Sequence, residues 1–169
     1  MKKKHFLLTL MIVFVLIVGC FQQKDEKGKE KNDKISEYYF ALNNYRSDIY
    51  FIILKFDADL IGWGVTQDKY KIGDDIGNYL NSTDFIDTDK NIHKSYKKLN
   101  ELTYIDDKCI NSINSSYHNY QLLINLLNDF GDYSKERFLD KFNDLKSEIN
   151  IDLRNIESHV KYLEKKVFN

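Results

Sequence analysis

Proline is absent from all 169 residues of this chain. The residue that most often breaks or kinks a helix is therefore missing, and long uninterrupted helices are favoured. Glycine is scarce at seven residues, and four of them, Gly62, Gly64, Gly73 and Gly77, crowd into one stretch. No segment sustains the period-two alternation of a half-buried strand, so no strand is expected. Motifs that carry chemistry are missing too. There is no Gly-x-Ser-x-Gly elbow, and Gly62-x-Gly64 lacks the third glycine of a dinucleotide loop and precedes no βα unit. Charge of one sign is not in excess: 25 basic residues face 26 acidic ones, which leaves no electrostatic footprint for nucleic acid.

What is present starts at the N-terminus. Met1-Lys2-Lys3-Lys4-His5 is a basic flank, and Phe6 to Val18 then carries one polar side chain, Thr9. A basic flank, a short apolar core and a small residue before a cut site is the layout of a secretory signal. The core, at about 1.5 Å per residue, is too short to span a hydrocarbon layer comfortably. Its end reads Leu16-Ile17-Val18-Gly19-Cys20. Aliphatic residues, one small residue and then cysteine resemble the lipobox of bacterial lipoproteins. The resemblance covers residues 1–20 only. It implies a diacylglycerol thioether on Cys20 Sγ, cleavage between Gly19 and Cys20, and a mature chain held on the extracytoplasmic side of a membrane. The alternative is a plain N-terminal membrane helix with an incidental cysteine.

Removing residues 1–19 removes Lys2, Lys3 and Lys4, so 22 basic residues remain against 26 acidic and the net charge becomes −4. Residues 20–34 run through Phe21-Gln22-Gln23 into mixed charge without apolar side chains. Such a stretch buries too little to offset the entropy of ordering and reads as a flexible tether. Residues 35–169 remain for one domain with one core. Cys109 is then the one cysteine outside the lipobox, without an internal disulfide partner, and is expected to be buried on a helix.

The domain reads as all-α: a helical bundle of three long helices plus a short helix or irregular crossover. The first helix is expected over 35–60. Ile35, Tyr38, Leu42, Tyr45, Ile49, Ile52 and Phe56 alternate steps of three and four, one face suited to side-by-side packing. The second long helix is expected over 89–130, capped by Asp87 or Thr88 and stopped at Gly131. Its stripe runs Ile92, Tyr96, Leu99, Thr103, Asp106, Ile110, Ile113, Tyr117, Tyr120, Ile124 and Leu127 without losing phase, which favours one long helix over a break near Asp106-Asp107. The third is expected over 134–168, with Ser134 as cap and Phe138, Phe142, Leu145, Ile149, Leu153, Ile156, Val160, Leu163 and Val167 inward. Between them, 68–81 is the short helix or crossover. Ile72, Ile76, Tyr79 and Leu80 sit at helical spacing, and its two glycines cost about 1 kcal/mol each.

The residues give little sign of an enzyme. No cofactor and no metal are expected. Asp89 and His93 share a helix face, but no second ligand pair of the Glu-x-x-His kind appears elsewhere. Asp68, Asp74 and Asp75 lack the spacing of a calcium loop. His93, His118 and His159 read as boundary or surface residues. Trp63, the one tryptophan, is flanked by glycines and is either a plug for one bundle end or an exposed binding residue. With Tyr70 and Tyr79 it makes up the candidate partner-binding set. The expected partners are the membrane, through lipid on Cys20, and a protein or other envelope component. The function expected is an interaction module of the immunity, exclusion or adhesin type. A structural or accessory subunit of an envelope complex is the alternative, and an envelope enzyme is less favoured.

Overall fold

The structure, a computed structural model, describes residues 32–58, 60, 69–102 and 107–168. Gly19, Cys20 and Trp63 lie outside the described residues. Those described form five α-helices, one short 3₁₀ turn and no strand. Helix α1 spans residues 32–58, α2 Lys69–Leu80, α3 Thr83–Glu101, α4 Asp107–Asn128 and α5 Lys135–Phe168. The all-α bundle expected from the periodicity is the fold. Helix α1 already includes residues 32–34, which the sequence reading gave to the tether. No helix among the described residues is long and apolar enough to cross a membrane.

The expectation of one helix over 89–130 is corrected. Helix α3 ends at Glu101 with Leu102 extended, and α4 starts at Asp107. The two run antiparallel. Tyr120 OH donates to Asp89 Oδ1 at 2.6 Å, and Tyr96 OH donates to Asn114 Oδ1 at 3.0 Å. In a continuous helix residues 89 and 120 would stand about 46 Å apart, at 1.5 Å per residue. The unbroken three-four phase therefore runs across two separate, antiparallel helices. The start is corrected as well. Ser82, in extended backbone, is the cap, and its hydroxyl accepts from Phe85 N at 3.2 Å. Thr88 lies inside the helix, its hydroxyl donating to Asp84 O at 2.7 Å. The start lies five to six residues earlier than expected, and only Asn81 and Ser82 separate α2 from α3.

Helices α1, α3, α4 and α5 alternate in direction. Helix α3 runs antiparallel to α1, with Lys98 Nζ 2.9 Å from Glu37 Oε1 near one end. Helix α5 runs antiparallel to α1, with Lys146 Nζ 2.6 Å from Asp57 Oδ1 and Arg46 Nη1 3.6 Å from Glu157 Oε2. It is also antiparallel to α4, joined by the turn Phe130–Asp132. Helices α1 and α4 are parallel and in direct contact, since Tyr38 meets Cys109 and Tyr45 meets Ser116. The arrangement is an up-down-up-down four-helix bundle with α1 and α4 as its short diagonal. Helix α2 crosses the end where α1 and α4 finish, and its Gly73 sits against the Phe130 ring.

The core is the one the stripes foretold on α1 and α5. Tyr38, Leu42, Tyr45, Ile49, Ile52 and Phe56 are all fully buried, as are Phe138, Ile149, Ile156 and Leu163. Ser134 caps α5 as expected, accepting from Arg137 N at 3.4 Å. Glu136 in the first turn and Lys165 and Lys166 in the last match the helix dipole.

Candidate functional site

The bundle middle is more polar than an apolar stripe predicts. Ser112, Ser116 and Asn119 of α4 are buried. Small serines let α1 approach closely and give its tyrosines something to bond. Tyr45 OH donates to Ile113 O at 3.1 Å and shares a 2.9 Å hydrogen bond with Ser116 Oγ. Tyr38 OH donates to Cys109 Sγ at 3.6 Å, which places that cysteine in the core as expected. The Tyr96 and Tyr117 rings stack at 3.7 Å, nearly parallel, with His93 edge-on to Tyr117 at 5.5 Å. Burial pushes the Tyr45 and Tyr120 phenols far above the ordinary tyrosine range. For Tyr120 the hydrogen bond to the Asp89 carboxylate adds to the rise. These hydroxyls are satisfied inside the bundle, so the layer is structural polarity at a helix junction, with no open aromatic groove between α1 and α4.

The open space lies at the capped end. A cleft of about 590 Å³ is walled by α2 through Ile76, Gly77 and Leu80, by Phe85 of α3, and by Leu127 and Phe130 at the end of α4. Asp74, Asn81 and Asn128 supply its polar rim. Two features of the sequence hold it open. An added Cβ at Gly77 meets nothing within 4 Å, so a larger residue there would fill the cleft rather than the core. A Cβ added at Gly73 would stand 3.4 Å from the Phe130 ring, so the bare glycine lets α2 pack close against that wall.

The sequence-predicted residues fall unevenly around this cleft. Tyr79 sits at the joint behind it, edge-on to Phe56 at 5.1 Å and to Phe85 at 5.7 Å, with Lys55 Nζ 5.6 Å from its ring centroid. Tyr70 belongs to α2, but its side chain lies outside the described ones, as does the whole of Trp63. The wall residues Gly77, Leu127 and Phe130 were not picked out as site residues. The four crowded glycines were the signal available, since two of them sit inside a helix where their only local effect is a cost. Among the described residues no three metal-ligating side chains gather. Asp89 and His93 do meet, at 3.4 Å, but Asp89 is engaged by Tyr120 and the imidazole lies against its own helix carbonyl.

A second groove runs between α1 and α5, about 520 Å³, lined by Arg46, Tyr50, Asn150, Leu153, Arg154 and Glu157. It holds two of the chain's three arginines. Glu157 is held below the usual carboxylate range by its hydrogen bond and charge contact with Lys161, and by Arg46. Comparison with protein-family models, with curated proteins and with solved structures gives no match.

Proposed function

We propose that this chain is a lipid-anchored binding module of the cell envelope, displayed on the extracytoplasmic side and acting by recognition of a protein or envelope component. The observation that carries the recognition half is the cleft at the capped end. It lies at the far end of α1 from the N-terminus, about 40 Å along a helix of 27 residues. A tether on Cys20 would leave that end open to the surroundings. The anchor half rests on Leu16-Ile17-Val18-Gly19-Cys20 and its resemblance to a lipobox. Recognition of the immunity, exclusion or adhesin kind needs a held position and a shaped surface, and no catalytic step enters this reading.

The test is a photocrosslinking amino acid at Asn128, on the cleft rim, in intact cells, with Leu122 on the outer side of α4 as the control site. The reading expects one adduct of defined mass from position 128, none from 122, and loss of the adduct when Gly77→Phe fills the cleft. Equal crosslinking from both sites, or an adduct indifferent to Gly77→Phe, removes the cleft as the binding site.

A further inference from the structure

The side of α1 turned away from α4 is built unlike the rest of the surface. At 100° per residue, the outward positions between residues 36 and 58 are Ser36, Phe40, Asn43, Asn44, Ser47, Tyr50, Phe51, Leu54 and Ala58. None carries a charge. Phe40 is 51% exposed, Tyr50 46%, Phe51 54% and Leu54 47%. The charges of this stretch stand on the flanks: Glu37, Asp48 and Lys55 on one side, Arg46 and Asp57 on the other. Glu37 is paired with Lys98 of α3, and Asp57 with Lys146 of α5. Along the α5 flank lie Arg46 and Arg154. Arg46 Nε is buried without a hydrogen-bond partner among the described residues, and its head group reaches only Glu157, at a loose 3.6 Å. Arg154 spends its Nε on its own helix, at Asn150 O, and makes no ion pair among the described residues.

We infer that this outward face of α1 docks on a lipid leaflet containing anionic headgroups, so that the tethered bundle lies on its side. The inference rests on the lipoprotein reading for its tether. Two quantities favour a leaflet over a second copy of the chain. Four large side chains, each about half exposed, offer on the order of 400 Å² of apolar surface, half of the roughly 800 Å² per partner that a stable dimer buries. A small face suffices for a surface that is already held close. Eleven residues lie between Cys20 and residue 32, and a flexible tether of that length would span about 20 Å, shorter than α1 itself. Tethering at that range supplies an effective concentration on the order of millimolar. The composition suits the place: phenylalanine, tyrosine and leucine enter the headgroup boundary, and guanidinium groups bond headgroup phosphates from the rim.

The test uses the protein extracted from membranes and returned to vesicles of phosphatidylcholine with one part in four phosphatidylglycerol. Nitroxides are placed in turn at Leu54→Cys and at Leu122→Cys, on the opposite side of the bundle. The inference expects the label at 54 to be several-fold better protected from a water-soluble nickel complex than the label at 122. Phe51→Glu should return the label at 54 to water. Equal exposure of both labels on vesicle-bound, acylated protein overturns the face while leaving the anchor intact. Spin–spin broadening at 54 in detergent, without vesicles, overturns it in favour of a second copy. An extracted chain without acyl mass sinks the anchor reading and this inference together.

Discussion

Two buried phenols make the fold sensitive to alkali in a way that can be worked out. Tyr45 and Tyr120 are both fully buried. Burial is the leading cause that holds each phenol far above its ordinary value, and in both cases the folded chain keeps the proton. In the unfolded chain the same groups ionise near pH 10. A raised folded pKa means the stabilising contribution is whole below pH 10 and is lost as pH rises beyond it. There the native state binds two more protons than the unfolded state. Each is worth a little over 1 kcal/mol per pH unit, so stability falls by roughly 3 kcal/mol per unit above pH 10. Two units remove about 5–6 kcal/mol, the whole stability of a domain at the lower end of the usual range. The assay is parallel alkaline titration of helical circular dichroism and tyrosinate absorbance. Most of the twelve tyrosines should ionise without loss of helix. A late fraction should ionise cooperatively with unfolding. The double variant Tyr45→Phe, Tyr120→Phe should lose most of the alkaline slope, at a cost of roughly 1–3 kcal/mol per site near neutrality. Complete ionisation with the helices intact, or an unchanged slope in the double variant, refutes the reasoning.

Other expectations follow from single positions. Gly77→Ala should stabilise the protein by about 1 kcal/mol in chemical denaturation, because it gains helix propensity and its Cβ meets open space. Phe138→Ala should cost about 3–5 kcal/mol by the same measurement, since that ring is fully buried against Phe130 and Phe142. Burial raises the Asp48 carboxyl, so its charged form opposes folding above its pKa; Asp48→Asn should raise the melting temperature at neutral pH, and the gain should vanish in acid. Cys109, being buried, should react with a maleimide at the rate of global or local opening, and at full speed in denaturant.

The legibility of this fold differed between helices for a physical reason. Helices α1 and α5 bury nearly every residue their stripes named, because each turns one apolar side inward and the period is unambiguous. Helix α4 did not read so well. Its named stripe, Ile110, Ile113, Tyr117, Tyr120, Ile124 and Leu127, is only half in the core. Cys109, Ser112, Ser116, Asn119 and Leu123 are buried as well. A helix touching α1, α3 and α5 at once is covered over most of its girth, and its closest contacts use small polar residues that an apolar pattern passes over. The break between α3 and α4 was hidden because the stripe stays in phase through Thr103 and Asp106, so periodicity alone could not tell a hairpin from a continuous helix. What would have told them apart is a polar pair, Asp89 and Tyr120, whose meeting is visible only in three dimensions. The cleft was hinted at by glycines inside a helical pattern, but its opposite wall comes from the end of α4, some fifty residues further along the chain.

The central claim is that this bundle is held at a membrane by lipid on Cys20. The measurement that meets it most directly is the intact mass of the protein extracted from its native membrane, with Cys20→Ala prepared alongside. The account predicts loss of residues 1–19, added acyl mass on the native chain, and an unprocessed, unacylated precursor in the variant. A native chain that keeps its full N-terminus without lipid, or an acylated Cys20→Ala variant, contradicts it.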